Sequence, residues 1–192
     1  MRALLYTTGS PFARAVRIVL DEIGLDYERR EEITTRSFEE RVRATPTLQV
    51  PTFWDEGLTL WESGTIAEYL LSNYPQRQAS VIPLAKYAFR PENEWQDKLN
   101  FATIQTFGNA ATTISQMRWS GVTVDGNAHL GRSAVKLGTI LRWLEDKLGK
   151  AGDGFQPGCV SVQDIFLAAH VRFVQARQIG RASCRERVYS NV

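Results

Sequence analysis

Two neighbouring stretches place together the residue types that could bind a small acidic peptide. Residues 49–53 (QVPTF) set a proline between a short apolar residue and a strand-like sequence, and residues 58–64 (LTLWESG) run a strand into a Glu-Ser pair. A turn at 55–57 (DEG) separates the two stretches. Free backbone N–H groups at a helix start attract carboxylates, so strand, turn, strand and helix start predict a surface for one extended, acidic peptide.

Ser10 is a candidate for the reactive end of that site. It lies in the loop 7–11 (TTGSP), whose glycine and proline break helices, and apolar residues at helical spacing follow it. The loop contains no Asp or His that could take the proton of Ser10, which argues against a nucleophile of the protease type. Ser10 can also cap the following helix. Arg14 and Arg17 most simply belong to the solvated face of that helix.

The first half of the chain predicts a strand-helix-strand unit followed by a hairpin and a helix. The predicted elements, in chain order, are strand 3–6, a helix that ends at Gly24, edge strand 27–33, a short polar helix 37–44, strands 52–54 and 58–60, and a helix from Ser63 to Pro75. The first unit implies a parallel strand pair with a right-handed crossover. The whole order predicts a thioredoxin-like layout.

Downstream of this unit the apolar period becomes helical throughout. Residues 95–111 carry two apolar stripes, residues 137–148 carry one, and Ser161 with Asp164 forms a capping box that opens a further helix. The sequence therefore predicts a second, all-helical domain. The predicted division is a thioredoxin-like domain at 1–76, a linker at 77–90, a helical domain at 91–178 and a tail at 179–192.

Four short motifs resemble, in their order along the chain, the signature of the cytosolic glutathione transferases. They are residues 10–17 (SPFARAVR), Val50-Pro51, Glu62-Ser63 and Ser161-x-x-Asp164. The resemblance covers 1–178 and points to the serine-type classes, of the bacterial, theta or tau kind. It implies an α/β thioredoxin-like domain (βαβ, then α, then ββα) and an all-α domain that is incomplete at its C-terminus.

The resemblance implies that Ser10 is the catalytic residue. Its hydroxyl would donate a hydrogen bond to the sulfur of glutathione, and a hydrogen bond to a charged group is worth about 1.5–3 kcal/mol. That energy would lower the pKa of the thiol by roughly one to two units, and the dipole at the start of the following helix would add to the effect. Thr7 and Thr8 are alternative donors. Capping and catalysis by Ser10 are compatible.

The resemblance also implies that Gln49, Val50, Pro51, Glu62 and Ser63 bind glutathione. A cis bond before Pro51 would turn the N–H and C=O of Val50 toward the peptide; the alternative is a trans proline at a strand start. Ser63 would hold the γ-glutamyl carboxylate and Glu62 the α-ammonium group, although a plain N-cap serine beside a solvated glutamate has the same pattern. Gln49 stands where many relatives carry a basic residue, so it would contact the glycine end without charge.

The implied reaction is conjugation of the glutathione thiolate to a hydrophobic electrophile, without a metal or other cofactor. Candidates for the pocket of this second substrate are Phe12, Phe107, Met117 and Trp119, with Phe101. Residues of these types at helical spacing are also typical of a core. Two other functions stay open: non-catalytic binding of glutathione or an apolar ligand, and glutathione-dependent isomerisation, dehalogenation or peroxide reduction. The resemblance also implies a homodimer.

Composition and cysteine usage indicate the class of protein and its expected compartment. The chain is 43% hydrophobic and 23% charged, which is typical of soluble globular proteins, and no apolar run approaches the roughly 20 residues that span a bilayer. The N-terminus does not read as a signal peptide, so we expect a cytoplasmic protein without a membrane partner. Cys159 and Cys184 lack a metal-type spacing to each other or to a histidine, which disfavours a metal site.

The last residues account for the net charge of the chain. The tail 179–192 carries three Arg and one Glu, so the formal charge of +2 rests on it and the remainder is neutral, without a basic face for nucleic acid. Residues 179–188 (IGRASCRERV) resemble the translation of a sequencing adapter. We therefore predict that the tail is non-native and that native sequence stops near Gln178. The alternative is a genuine basic tail that binds a partner.

Overall fold

A four-stranded sheet forms the base of the first half of the protein. The computed structural model describes residues 1–32, 35–75, 82–151 and 154–179. The strands are β1 (Ala3–Tyr6), β2 (Glu28–Glu31), β3 (Thr52–Asp55) and β4 (Leu58–Trp61), in the spatial order β2-β1-β3-β4. β1 pairs with β2 in parallel and with β3 in antiparallel, and β3 pairs with β4 in antiparallel. The predicted parallel pair and hairpin are both confirmed.

Three helices accompany the sheet: α1 (Pro11–Ile23), α2 (Thr35–Ala44) and α3 (Ser63–Asn73). Helix α1 buries its apolar stripe completely, and Gly24 ends it with φ 67°, a left-handed conformation that favours glycine. β2 has the sequence ERRE and is largely exposed. A charged edge strand of this kind discourages pairing with other chains, in agreement with its predicted place at the edge of the sheet.

The second half is helical. A 3-10 turn (Pro91–Asn93) leads into α4 (Glu94–Trp119), which is followed by α5 (Ala128–Ala151) and α6 (Val162–Ala176). The predicted capping box is present at the start of α6: the N–H of Asp164 donates to Ser161 Oγ at 3.3 Å, and the N–H of Ser161 donates to Asp164 Oδ2 at 2.9 Å. The fold is therefore a thioredoxin-like domain followed by helices, as predicted.

One apolar core joins the two halves. Phe101 of α4 and Phe166 of α6 pack in the same cluster as Val16 of α1 and Ile66 of α3. A second cluster lies between α4 and α5. In the part of the chain that is described, no helix combines the length and apolarity needed to cross a membrane.

The predicted linker packs tightly where it is described. Leu84, Ala85 and Ala88 are buried, and the N–H of Ala85 donates to the C=O of Val160 at 2.8 Å. Of the predicted tail, Ile179 is buried in the second cluster, and residues 180–192 lie outside the described residues. The domain boundaries and the non-native tail stay predictions.

Candidate functional site

A cavity of about 170 Å³, which we call the cradle, opens where the loop before β3 meets α1, α3 and α4. It is lined by nine residues: Phe12, Thr47, Gln49, Val50, Pro51, Glu62, Ser63, Gln105 and Asn109. All five residues predicted to bind glutathione are among them. Two stretches that are separate in sequence thus contribute to one cavity.

The loop before β3 brings its residues to the cradle through a fixed local geometry. The peptide bond between Val50 and Pro51 is cis, which confirms the prediction made for it. Thr45 is buried, its Oγ1 accepts the N–H of Thr47 at 3.1 Å, and the two hydroxyls lie 2.8 Å apart. These bonds close a small turn, which positions Thr47 and Gln49 at the wall of the cradle.

The start of α3 supplies the second wall. Glu62 has φ 65°, which costs a non-glycine residue about 1–3 kcal/mol and is common at ligand sites. No side chain in the described residues caps α3. Its first N–H groups are therefore available to a carboxylate. Ser63 is buried at 5% exposure beside these groups, so hydroxyl and backbone donors converge there.

Helix α4 closes the cradle with residues that no motif had marked. Gln105 Nε2 lies 3.5 Å from Ser63 Oγ, and its Oε1 is buried without a partner among the described residues. Asn109 follows one turn later on the same face. Gly64 permits this approach, because a Cβ there would lie 2.8 Å from Phe101 Cε1 and 3.2 Å from Gln105 Nε2. The glycine after Ser63 is the one sequence signal that could have pointed to α4.

Ser10 is not among the residues that line the cradle. It is the N-cap of α1, where its Oγ accepts the N–H of Ala13 at 3.2 Å. A hydroxyl has one hydrogen to donate and two lone pairs, so capping leaves its hydrogen available to a ligand. Phe12, two residues further on, does line the cradle.

Ser10 contributes to the wall of a second cavity, the arginine pocket. Its volume is also about 170 Å³. It is lined by the loop before α1, the first turn of α1, the C-terminal half of α6 and the residue that caps α6: Thr8, Gly9, Ser10, Pro11, Arg14, Ala169, Arg172, Phe173, Ala176 and Arg177. Sequence analysis had assigned Arg14 to a solvated helix face and had not singled out Arg172 of α6 or Arg177, the residue that follows α6.

The residues predicted to form a second-substrate pocket do not come together. Phe12 lines the cradle. Phe107 is fully buried in the cluster between α4 and α5, and Met117 packs against that cluster. Trp119 is 66% exposed at the end of α4, beneath the guanidinium of Arg177. Phe101 is likewise a core residue. For Phe101 and Phe107 the core alternative is therefore the better account, because helical spacing alone does not distinguish a core from a pocket.

His170 is a buried polar residue behind the cradle that the sequence did not reveal. It is fully buried on α6, and its ring lies 4.6 Å from the ring of Phe12 and against Gly108 of α4. Neither ring nitrogen has a partner in the described residues. Burial lowers the pKa of His170 to about 4, so the ring is neutral at physiological pH.

The described residues contain no group of three or more metal-type ligands. Cys159 is free and partly buried, and burial raises the pKa of its thiol. A raised pKa disfavours the reactive thiolate. The polar groups around the two cavities can supply hydrogen bonds, and Glu62 and the arginines can supply charge.

Comparison with known proteins assigns the N-terminal domain to a known family. Residues 4–78, which include the sheet, α1, α3 and most of the cradle, match the N-terminal domain of glutathione S-transferase. Over these residues the chain carries a glutathione S-transferase N-terminal domain. The chain is 38% identical over 69 residues to the glutathione S-transferase-like protein gedE of Aspergillus terreus, and this alignment covers 34% of the chain and 30% of that protein. It is 31% identical over 77 residues to glutathione S-transferase D7 of Drosophila melanogaster, covering 38% and 34% of the two.

These alignments span about a third of the length of the curated relatives. Among solved structures, a glutathione S-transferase from Methylobacillus flagellatus with GSH bound matches with a TM-score of 0.72, over 93% of this chain and 85% of that one. The sequences are 21% identical, so this likeness shows the fold alone. The activity, substrates and partners of the present protein therefore follow as proposals.

Proposed function

We propose that the protein binds glutathione in the cradle and conjugates it, through its thiolate sulfur, to a hydrophobic electrophile. The observation that carries this proposal is the convergence of Gln49, Val50, Pro51, Glu62 and Ser63 on one cavity of a glutathione S-transferase fold. The γ-glutamyl carboxylate would contact Ser63 and the free N–H groups of α3, and the α-ammonium group would contact Glu62. Gln49 would hydrogen-bond the glycine carboxylate. No metal or other cofactor takes part.

Ser10 would act on the sulfur. Its hydroxyl hydrogen is not used by the cap, and the first turn of α1 adds the positive end of a helix dipole. A hydrogen bond of about 1.5–3 kcal/mol to the thiolate would lower the pKa of the thiol by roughly one to two units. Since a free thiol has a pKa near 8.5, much of the bound glutathione would be ionised at neutral pH.

Conjugation of glutathione to 1-chloro-2,4-dinitrobenzene tests the proposal. The variant Glu62→Gln should raise KM for glutathione about tenfold, because a hydrogen bond between charged groups is worth about 1.5–3 kcal/mol. Glu68→Gln is the matched control, since Glu68 is exposed on α3 and does not line the cradle. Calorimetry that detects no glutathione binding to the parent would refute the proposal.

A second candidate function is binding of glutathione without turnover. It is favoured by one observation: Ser10 is not among the residues that line the cradle. A binding protein would hold glutathione with its thiol protonated, and Glu62→Gln would weaken binding in either case. From the resemblance in sequence we also propose a cytoplasmic homodimer, which sedimentation equilibrium of the purified protein tests for the oligomeric state.

A further inference from the structure

We propose that the arginine pocket binds the anionic group of the second substrate, and that this substrate is an aromatic electrophile carrying a carboxylate. The proposal rests on the proposed function, because it names the substrate class for that reaction. In the reaction the thiolate sulfur forms a bond to a ring carbon, and a leaving group such as chloride departs with the bonding electrons. The carboxylate stays unchanged and serves only for binding.

The charge of the pocket is the first argument. Arg14, Arg172 and Arg177 line it, and no acidic residue does. None of the three forms an ion pair with a carboxylate in the described part of the chain. Thr8 of the lining donates its hydroxyl hydrogen to the carboxylate of Glu31, which does not itself line the pocket. Guanidinium groups stay charged and bind carboxylates in a bidentate manner, so the pocket favours an anion.

Aromatic contacts hold one of these arginines in place. The guanidinium of Arg177 lies 4.6 Å from the ring centre of Trp119 and 5.8 Å from that of Phe173. Such cation–π contacts restrict the side chain before a ligand arrives, which reduces the entropy lost on binding. Phe173 and Pro11 also give the pocket apolar surface. An apolar ring with one anionic group matches both features.

The position of the pocket connects it with the reaction. Ser10 lines the arginine pocket, and Phe12, two residues away, lines the cradle. A sulfur held by the Ser10 hydroxyl would therefore lie between the two cavities.

The first experiment measures binding without turnover. Isothermal titration of the full chain, in the absence of glutathione, compares 3,5-dinitrobenzoate with the neutral 3,5-dinitrobenzamide. The benzoate should bind at least tenfold more tightly. Arg172→Gln should weaken binding of the benzoate about tenfold. Arg172→Lys should retain most of the affinity, because the positive charge stays. Arg142→Gln, an exposed arginine of α5 outside the pocket, is the matched control and should bind like the parent.

The second experiment measures turnover. The substrates 4-chloro-3,5-dinitrobenzoate and 4-chloro-3,5-dinitrobenzamide share the ring and the leaving group, and kcat/KM is divided by the uncatalysed rate for each. Arg172→Gln should lower the value about tenfold more for the benzoate than for the amide. If the protein binds the benzoate selectively but conjugates neither compound, the anion site is supported and the proposed function is refuted.

Three results would overturn the anion site. Equal affinity for benzoate and benzamide would show that charge plays no part. Equal losses in Arg172→Gln and Arg142→Gln would show that only the overall charge of the protein matters. A rise in KM for glutathione alone in Arg172→Gln would assign the arginine to a carboxylate of glutathione.

Discussion

The contact between Gly108 of α4 and His170 of α6 gives a sharp test of the packing behind the cradle. A Cβ added at Gly108 would lie 2.6 Å from both Cε1 and Nε2 of His170, whereas carbon contacts are ordinarily about 3.5–4.0 Å. The ring is held between Phe12 and Phe166, so it cannot move away without disturbing them. We expect the collision to cost about 2–3 kcal/mol, the upper part of the range for overpacking.

Gly138→Ala is the matched control for Gly108→Ala. Gly138 lies in α5, and nothing lies within 4 Å of its added Cβ. Replacement of a helical glycine by alanine favours the helix by up to about 1 kcal/mol. Gly138→Ala should therefore stabilise the protein by this amount, while Gly108→Ala should destabilise it by about 1–2 kcal/mol. The difference of about 2–3 kcal/mol isolates the collision.

Urea unfolding, followed by far-UV circular dichroism, measures these free energies. The slope with urea should be the same for all variants, because the exposed surface on unfolding is unchanged. The double variant Gly108→Ala/His170→Ala should recover the collision energy relative to His170→Ala alone, as a double-mutant cycle requires. If Gly108→Ala and Gly138→Ala stabilised the protein equally, the assignment of His170 to the wall beside Gly108 would be wrong.

Two further predictions concern α6. Burial lowers the pKa of His170 to about 4, from an unfolded value near 6.5. The neutral ring of the folded protein therefore contributes fully to stability above pH 6.5. This contribution, roughly 3 kcal/mol in total, is lost as the pH falls through about 4. His170→Met should flatten the dependence of unfolding free energy on pH over this window, and an unchanged curve would exclude a buried neutral His170. Asp164→Ala should cost about 3 kcal/mol in urea unfolding, because Asp164 accepts hydrogen bonds from the N–H and hydroxyl of Ser161 and from the N–H of Phe155; a loss below 1 kcal/mol would contradict this capping role.

Local signals explain what could be predicted from the sequence. The Glu-Ser pair at 62–63 marks a helix start, and the Ser161–Asp164 spacing marks a capping box, because each depends on neighbouring residues only. The order of strands and helices then determined the thioredoxin-like sheet, since parallel crossovers have one hand. The same reasoning brought the two stretches of the cradle together.

Contacts between distant helices could not be predicted in this way. Gln105 and Asn109 lie on a helix with two apolar faces, and periodicity does not say which face meets the sheet domain. Phe107 belongs to that same helix and proved to be core. Arg14 reads as an ordinary solvated residue until Arg172 is placed beside the same pocket. Pockets formed by the packing of separate elements therefore needed the structure.

The pKa of the thiol of bound glutathione tests the central claim most directly. It is measured from thiolate absorbance in the ultraviolet as a function of pH, at saturating glutathione, for the parent, Ser10→Ala and Ser10→Thr. The parent should bring the pKa roughly one to two units below that of free glutathione. Ser10→Thr should keep this shift, and Ser10→Ala should lose it while still binding glutathione. An ordinary thiol pKa in the parent, or an unchanged low pKa in Ser10→Ala, would contradict the role of Ser10.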